Sequence, residues 1–221
     1  VKVDAVAAAF PSLKARIIVG ATRDGWLPYE LSMAASEDTF EAADTALEET
    51  ALLYFTSGTT GLPKIVEHSH GYTLAHETTG RYWLNLASGD LHWNISDTGW
   101  AKAAWSSYFG PWHQGASVFV HHTNGFSAKA VLRVLQEHPI STLCAAPTVY
   151  RMLVLEDLTK LSLPNLRDCV GAGEPLNPEV IAQWRAATGI TIRDGYGQTE
   201  SVILCGSFPS LDVRPGSMGK P

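Results

Sequence analysis

The stretch LLYFTSGTTGLPKIVEHSH, residues 52–70, joins an apolar run to a loop of small polar residues that ends in a single lysine. The apolar run predicts a buried strand, which must end where the small polar residues begin. Gly58 and Gly61 carry no Cβ and can adopt positive φ, so the loop can direct several backbone N–H groups at one anion. Its side chains add four hydroxyl donors and one ammonium group, on Thr56, Ser57, Thr59, Thr60 and Lys64. The loop is therefore predicted to bind a polyphosphate.

The spacing of this loop differs from that of a Walker loop. A Walker loop has a glycine directly before its lysine and Ser or Thr directly after it, whereas Pro63 precedes Lys64 and Ile65 follows it. A phosphate loop that caps a helix, and a phosphotransferase built on one, are therefore disfavoured. A surface turn rich in Thr, Ser and Gly would have the same composition. The order of residues in TSGTTGLPK is a much more specific signal than that composition.

The composition bounds the class of protein. With 221 residues, 45% of them hydrophobic and 17% charged, the chain can bury a substantial core. The net charge of −6 and the scattered basic residues argue against binding to nucleic acid. Three widely spaced cysteines indicate a reducing compartment, and no apolar run approaches the ~20 residues that span a bilayer. Since the N-terminus also lacks a signal peptide, we expect a soluble cytoplasmic protein.

Short β-rich runs alternate with helical segments after the loop. This order predicts an α/β fold with right-handed crossovers, in which helices cover both faces of a mostly parallel sheet. A further strand is predicted at 16–20, and the acidic stretch 31–50, which lacks basic residues, is predicted to be a solvated connection. The predicted strands of the sheet are residues 91–96, 117–122, 141–146, 167–171 and 190–194.

Two segments carry clear helix signals. Residues 128–138 place apolar side chains on one stripe and follow Ser127, a favoured N-cap. Residues 178–187 begin after a second N-cap, Asn177, and end just before Gly189, a residue that commonly terminates helices.

Ligands of parallel sheets bind at the carboxyl ends of the strands, so the residues that follow the predicted strands are the candidates for a binding site. In GAGEPLNPE, residues 171–179, small residues before Glu174 would let a flat ring approach the backbone. A plain strand-to-helix loop explains this segment equally well. The segment RDGYGQTES spans residues 193–201. In it, Tyr196 can stack on a base, Thr199 can donate a hydrogen bond to a phosphate, and Glu200 can bind Mg²⁺. A helix capped by Thr199, with Glu200 in its first turn, is the alternative.

The segment 96–116 is rich in tryptophan. An aromatic stripe is more often core than pocket, but alanines and glycines between the rings leave room for an apolar ligand. The histidines of the chain show no HExxH or comparable spacing, which disfavours a zinc site.

Four motifs in order resemble the adenylate-forming superfamily, which includes acyl-CoA synthetases, luciferases and the adenylation domains of peptide synthetases. They are TSGTTGLPK at 56–64, GEP at 173–175, DGYGQTE at 194–200 and GSMGKP at 216–221. The segments EHSH and SDTGWAKAAWSSYFGPWHQGASVFVHH are most similar to the medium-chain acyl-CoA synthetase branch. The resemblance implies one subdomain of the large N-terminal domain of such an enzyme. Residues 1–50 would end the preceding subdomain and form an acidic connection, and 51–221 would be the nucleotide-binding α/β subdomain.

The resemblance also implies roles for individual residues. The loop from Thr56 to Lys64 would hold the β- and γ-phosphates of ATP, Thr199 would donate to the α-phosphate and Glu200 would bind Mg²⁺. Trp100 and Gly171 fall where the family lines or gates its acyl tunnel. The adenine pocket would comprise Gly173, Glu174, Pro175, Asp194, Gly195, Tyr196 and Gln198, with Tyr196 stacked on the ring and Asp194 near the exocyclic amine.

The implied reaction has two steps. A carboxylate attacks the α-phosphate of MgATP to give acyl-AMP and pyrophosphate, and coenzyme A then displaces AMP to give a thioester. The implied cofactors are ATP, Mg²⁺ and CoA, and the partners are a carboxylic acid and CoA. The family's ribose-binding aspartate and its mobile C-terminal domain would lie beyond Pro221, so we expect the 221-residue piece to fold but to turn over poorly or not at all.

The sequence leaves two alternatives open. One is an aryl-acid or short-chain-acid CoA ligase, which uses the same chemistry on a different acid. The other is a non-catalytic module that binds ATP or AMP without acyl transfer. A gene that continues past Pro221 into a domain with a lysine-bearing loop would favour the enzyme.

Overall fold

The computed structural model describes residues 2–57 and 61–221, which form two compact units. The smaller unit ends at Asp44 and the larger is Thr45–Pro221. In the smaller unit, Asp4 accepts hydrogen bonds from Arg16 and Trp26, both of 3.0 Å. No residue between 2 and 44 is buried, so polar contacts rather than a core characterise this unit. Its elements are α1 Lys2–Ala7, β1 Ile17–Ile18, β2 Leu27–Pro28 and α2 Tyr29–Ala35.

The predictions for the N-terminal region hold only in part. The strand predicted at 16–20 is reduced to the two residues of β1, which pair in parallel with β2. The predicted solvated connection begins within the helix α2, and residues 36–44 are exposed without regular structure. The assignment of residues 1–50 to a preceding subdomain stays a prediction.

The larger unit contains a six-stranded sheet, which confirms the predicted α/β class. Strands β5 to β9 run parallel to one another, in the order β9-β8-β7-β5-β6, and β10 pairs antiparallel with β9 at the edge. The strands of this unit are β3 Thr50–Thr56, β4 Lys64–Ser69, β5 Leu91–Ile95, β6 Ser117–Phe119, β7 Thr142–Ala145, β8 Asp168–Ala172, β9 Ile192–Gly197 and β10 Ile203–Gly206.

Helices cover both faces of this sheet, as the alternation of elements predicts. Successive residues of a strand point to opposite faces, and Leu143 packs in one apolar cluster while Cys144 packs in another. The first cluster includes residues of α6, α7 and α8, and the second includes Trp83. The helices are α3 His70–Thr78, α4 Ala101–Ala104, α5 Gly110–His113, α6 Ala128–Glu137, α7 Pro147–Leu153 and α8 Pro178–Thr188, with π-helical turns at Thr79–Trp83 and Trp105–Phe109.

The local helix signals are largely confirmed. The Ser127 hydroxyl accepts a hydrogen bond of 3.4 Å from the amide of Ala130 at the start of α6. Gly189 ends α8 in the left-handed conformation, with φ of 77°. Asn177 occupies the N-cap position of α8, but its side chain makes no capping bond and instead accepts one of 3.5 Å from Arg151.

The opening stretch forms a separate antiparallel hairpin, and the predicted burial of its first strand is wrong. Among the strands that the structure describes, β3 pairs only with β4, and Leu53 and Phe55 are 55% and 71% exposed. A short apolar run does not reveal whether its second face is covered, because that depends on which elements pack against it. Lys64 begins a strand rather than a helix, as the non-Walker spacing predicts, and it pairs with Thr56. Gly61 has a positive φ of 97°, as predicted, whereas Gly58, Thr59 and Thr60 lie outside the described residues.

Strand β9 is longer than predicted and has an unpredicted neighbour. The predicted strand ends at Asp194, but β9 continues to Gly197 because β10 pairs with Gly195, Tyr196 and Gly197. These residues therefore belong to a strand, and the loop begins only at Gln198.

The fully buried Trp83 packs against glycines of β9 and β10. A Cβ built on Gly195 would lie 2.7 Å from three atoms of the indole, and one on Gly206 would lie 2.6 Å from it. Real Cβ atoms essentially never approach so closely, and interiors are packed too densely for a buried indole to move aside freely. The absence of a side chain at Gly195 thus serves the packing of Trp83.

We expect Gly195→Ala to lower the free energy of unfolding by about 1–3 kcal/mol, as overpacked core substitutions do. The matched control is Gly171→Ala in the neighbouring strand, where the new Cβ would meet its nearest neighbours at 3.7 and 3.8 Å, which is ordinary contact. Urea unfolding followed by tryptophan fluorescence measures both. Equal stability changes for the two variants would contradict the assignment of Gly195 to packing.

Candidate functional site

A cleft of about 1040 Å³ lies at the carboxyl ends of the parallel strands. Its wall includes a residue soon after each of the five, which is the place where ligands of parallel sheets commonly bind. These residues, for β5 to β9 in order, are Ser96, His121, Ala146, Gly173 and Gln198. The cleft therefore draws its wall from segments that are far apart in the sequence.

The structure brings to this cleft about half of the predicted site residues that it describes. The predicted residues that line it are Thr56, Trp100, Gly173, Glu174, Gln198, Thr199 and Glu200. Those that the structure describes away from the wall are Ser57, Gly61, Lys64, Gly171, Pro175, Asp194, Gly195 and Tyr196. Lys64 nevertheless stands beside the wall, because its pairing partner Thr56 forms part of it.

Glu174 is held at the cleft by two neighbours. The Thr148 hydroxyl lies 2.9 and 2.8 Å from its two carboxylate oxygens, and Arg151 forms an ion pair with it. The hydrogen bond from Thr148 and the Arg151 charge hold the pKa of Glu174 below its usual range. Gly173, which precedes it, has φ of +107°, a conformation that favours glycine. This turn presents open backbone to the cleft, as a flat ring would require.

The segment 198–201 forms a tight turn rather than a helix. The amide of Gln198 donates to the Ser201 hydroxyl over 3.2 Å, and the Ser201 amide donates back to the Gln198 carbonyl over 3.1 Å. The alternative in which Thr199 caps a helix is therefore wrong. Within residues 2–57 and 61–221, no protein group hydrogen-bonds to the Thr199 hydroxyl or the Glu200 carboxylate. Both side chains are open to a ligand.

Several cleft residues were not predicted. Lys102 is half-buried, and its ammonium group donates to the Ala172 carbonyl over 3.2 Å. Among the described residues of the wall it is the one Lys or Arg. Thr148 follows the strand β7, so the rule that led to Glu174 would have found it as well. Lys102 lies seven residues beyond the end of β5, in α4, which the sequence did not predict.

The tryptophans divide between core and cleft. Trp83 and Trp93 are buried, whereas Trp100 is 69% exposed on the cleft wall and Trp105 is half-buried there. Trp93, Trp100 and Trp105 contribute to an apolar and aromatic part of the wall. This part also includes Ile95, Phe126, Val131, Val149, Val202 and Ile203. The cleft thus combines an apolar wall with hydroxyl groups, three carboxylates and, among the described residues, one lysine.

Asp194 lies in the interior of the sheet instead of the cleft. Its Oδ1 accepts a hydrogen bond of 2.9 Å from the Gly195 amide, and it is 5% exposed. Burial raises its pKa from 3.8 to about 6.

The raised pKa of Asp194 predicts a specific pH dependence of stability. Between about pH 4 and pH 6 the folded protein retains a proton that the unfolded chain has released, so the free energy of unfolding should fall as pH rises through this window and level off above it. Asp194→Asn cannot ionise and should lack this fall. Urea unfolding at several pH values tests it, with Asp157→Asn as an exposed control whose carboxyl has a lowered pKa. A wild-type stability that rises relative to Asp194→Asn across the window would contradict the prediction.

The described residues contain neither a membrane-spanning helix nor a cluster of metal-binding side chains. In residues 2–57 and 61–221, no helix has the length and apolar character needed to span a membrane. Nor does this part of the chain contain a cluster of three or more side chains of His, Cys, Asp or Glu arranged to hold a metal ion.

Comparison with known proteins identifies relatives over nearly the whole chain. The model of the AMP-binding enzyme family matches residues 2–221. The chain is 48% identical over 221 residues to the mitochondrial acyl-coenzyme A synthetase ACSM3 of Mus musculus, and 47% identical over 224 residues to ACSM4 of Rattus norvegicus. Each match covers 99% of this chain but 38% of the relative, so the chain spans well under half of their length.

Solved structures of the same kind share the fold. The chain matches the anthranilate CoA ligase AuaEII, solved with anthranoyl-AMP, at a TM-score of 0.88 and 31% identity, covering 99% of this chain and 43% of the ligase. It matches the acyl-CoA synthetase of Brucella canis at a TM-score of 0.84 and 27% identity, covering 98% and 45% of the two chains.

The expectation of a cytoplasmic protein is wrong. The curated relatives ACSM3, ACSM4 and ACSM5 are all named as mitochondrial. Free cysteines indicate a reducing environment, but they do not identify the compartment, whose address is carried by targeting segments rather than by composition.

Proposed function

Because the chain belongs to the AMP-binding enzyme family, we propose that it forms the nucleotide-binding and acyl-binding wall of an ATP-dependent acyl-CoA synthetase. The observation that carries this proposal is the single cleft that joins Thr56, the Gly173–Glu174 turn and the Thr199–Glu200 turn to an apolar, aromatic wall. Ligand sites typically combine an apolar lining with a few convergent polar groups. A nucleotide and an acyl chain need these two kinds of surface side by side.

The proposed reaction begins with the adenylation of a carboxylic acid. A carboxylate oxygen attacks the α-phosphorus of ATP, the bond from that phosphorus to the bridging oxygen breaks, and pyrophosphate leaves. The thiol of CoA then attacks the acyl carbonyl carbon, its proton is lost to solvent, and AMP leaves with the electrons of the broken bond. Little covalent chemistry is required of side chains, so the protein acts by position and charge.

The residues of the chain can be assigned to these tasks. The loop from Thr56 to Lys64 would bind the β- and γ-phosphates, and the Thr199 hydroxyl would donate to the α-phosphate. The Gly173–Glu174 turn would form one wall of the adenine pocket. Lys102 would offer the positive charge of the cleft to the substrate carboxylate, because no other Lys or Arg of the described wall can do so.

Glu200 fits the role of magnesium ligand. Its carboxylate lines the cleft without a protein partner among the described residues, and Mg²⁺ at nucleotide sites commonly takes one or two carboxylates together with substrate phosphates and water. A cluster of protein ligands is therefore not required. When bound, Mg²⁺ supplies charge neutralisation for the leaving pyrophosphate.

We propose a medium-chain fatty acid as the substrate. This choice rests on the similarity of segments 67–70 and 96–122 to the medium-chain branch and on the apolar wall built around Trp100 and Trp105. An aryl acid is the second candidate, because the aromatic wall also suits a flat ring and a relative of known structure is named an anthranilate CoA ligase.

The test is carboxylate-dependent exchange of labelled pyrophosphate into ATP by the full-length gene product that contains these residues. Straight-chain acids from acetate to palmitate are compared with benzoate and anthranilate. Exchange that peaks at medium chain lengths supports both the chemistry and the acid. A preference for aryl or short acids supports the adenylation reaction and overturns the assignment of a medium-chain acid as substrate. No exchange with any acid overturns the proposed synthetase.

A further inference from the structure

His68 links the hairpin to the Thr199–Glu200 turn, and each of these two segments contributes residues to the cleft wall. Its Nε2 lies 2.6 Å from the carbonyl oxygen of Thr199, which is 131 residues away in the chain. A carbonyl oxygen can only accept, so Nε2 carries the proton and donates. The imidazole also stacks on the ring of Tyr72, with centroids 3.8 Å apart and planes at 21°. The stacked Tyr72 ring thus holds the imidazole donor in position.

The hydrogen bond spans the two segments that carry the proposed phosphate contacts. His68 lies in β4 of the two-stranded hairpin, and Thr199 follows β9 of the six-stranded sheet. Lys64 and His68 are four residues apart in one strand, so their side chains project from the same face. The face of β4 that carries Lys64 is therefore the face that contacts the Thr199–Glu200 turn.

The bond acts on the peptide that connects Thr199 to Glu200. The Thr199 carbonyl belongs to that peptide, so holding it restrains the two Cα atoms from which both side chains project. These side chains have no hydrogen-bond partner of their own among the described residues. The contact from His68 is consequently a restraint on where the hydroxyl and the carboxylate stand relative to the hairpin.

We propose that His68 is a positioning residue that sets the spacing between the triphosphate loop and the Thr199–Glu200 turn. It does not contact the substrate. It fixes the turn so that the α-phosphate donor and the magnesium ligand face the phosphates held by the hairpin. This inference deepens the proposed function and rests on it. Misplacement of catalytic groups by about 1 Å costs on the order of 100-fold in rate, so the loss of this bond should be measurable.

The experiment separates the donor from the stacked ring in the full-length gene product. His68→Phe keeps a ring to stack on Tyr72 and removes the donor, whereas His68→Gln keeps an N–H donor and removes the ring. The control is His113→Phe, because His113 Nε2 also donates to a backbone carbonyl, that of Thr73, over 3.0 Å but outside the cleft. Pyrophosphate exchange, the affinity for ATP with and without Mg²⁺, and the urea midpoint are measured for each.

We expect His68→Phe to lower kcat for exchange by about 10- to 100-fold and to weaken the Mg²⁺-dependent part of ATP binding, with the KM of the acid unchanged. His68→Gln should retain most of the activity, and His113→Phe should match the wild type in exchange.

A His68→Phe variant with wild-type exchange and MgATP affinity overturns the proposal, and so does His68→Gln that is as impaired as His68→Phe. These outcomes differ from failure of the synthetase itself, in which the wild type shows no exchange while His68→Phe still weakens MgATP binding. A wild type that binds no ATP overturns both proposals.

Discussion

Arg193→Met is expected to lower the free energy of unfolding by about 3–5 kcal/mol, because it leaves a buried carboxylate without its counterion. Arg193 and Asp168 are 5% and 7% exposed. The guanidinium donates to Asp168 Oδ1 over 3.1 and 2.8 Å and to the Ser207 carbonyl over 2.8 Å, and Asn85 donates to the other carboxylate oxygen over 2.8 Å. The pair links β8, β9 and the segment after β10, so its loss acts on the sheet itself.

Urea unfolding measures this effect against an exposed pair. Arg133 and Glu137 lie 3.9 Å apart on α6, and their side chains are 70% and 58% exposed, so Arg133→Met should cost less than about 1 kcal/mol. A further variant combines Arg193→Met with Asp168→Asn and should recover part of the loss, because it removes the uncompensated charge. Comparable losses for Arg193→Met and Arg133→Met would show that the buried pair is not the stabilising element we describe.

Glu200→Gln is expected to reduce the rate of pyrophosphate exchange by at least about 100-fold. The substitution keeps the size of the side chain and removes the negative charge that is proposed to bind Mg²⁺. Loss of one preorganised group that stabilises transition-state charge costs on the order of 100- to 1000-fold in other enzymes. The KM of the acid should change little, because the acyl chain is proposed to contact the aromatic part of the wall instead.

A matched control and a metal titration sharpen this second prediction. Glu137→Gln removes an equivalent carboxylate from an exposed position away from the cleft, and it should leave exchange unchanged. In Glu200→Gln, the Mg²⁺ concentration that gives half-maximal exchange should rise. Exchange at the wild-type rate and with wild-type Mg²⁺ dependence would remove Glu200 from the proposed site.

The sequence alone determined the class of fold and the region of the site. Helices α6 and α8 were predicted to within a residue or two, because apolar periodicity, caps and a terminating glycine are local signals. The parallel sheet followed from the alternation of strands and helices. Since parallel strands align their carboxyl ends, the positions of Gly173–Glu174 and Thr199–Glu200 at one cleft followed as well.

Tertiary structure decided what depends on partners distant in the sequence. The hairpin, the extension of β9 by β10 and the burial of Asp194 all arise from pairing or packing with other elements. The division of the tryptophans between core and cleft has the same origin, because a side chain is buried only when another element covers it. The contact between His68 and Thr199 joins residues 131 positions apart. Local composition carries no record of such a neighbour, so only the folded chain reveals it.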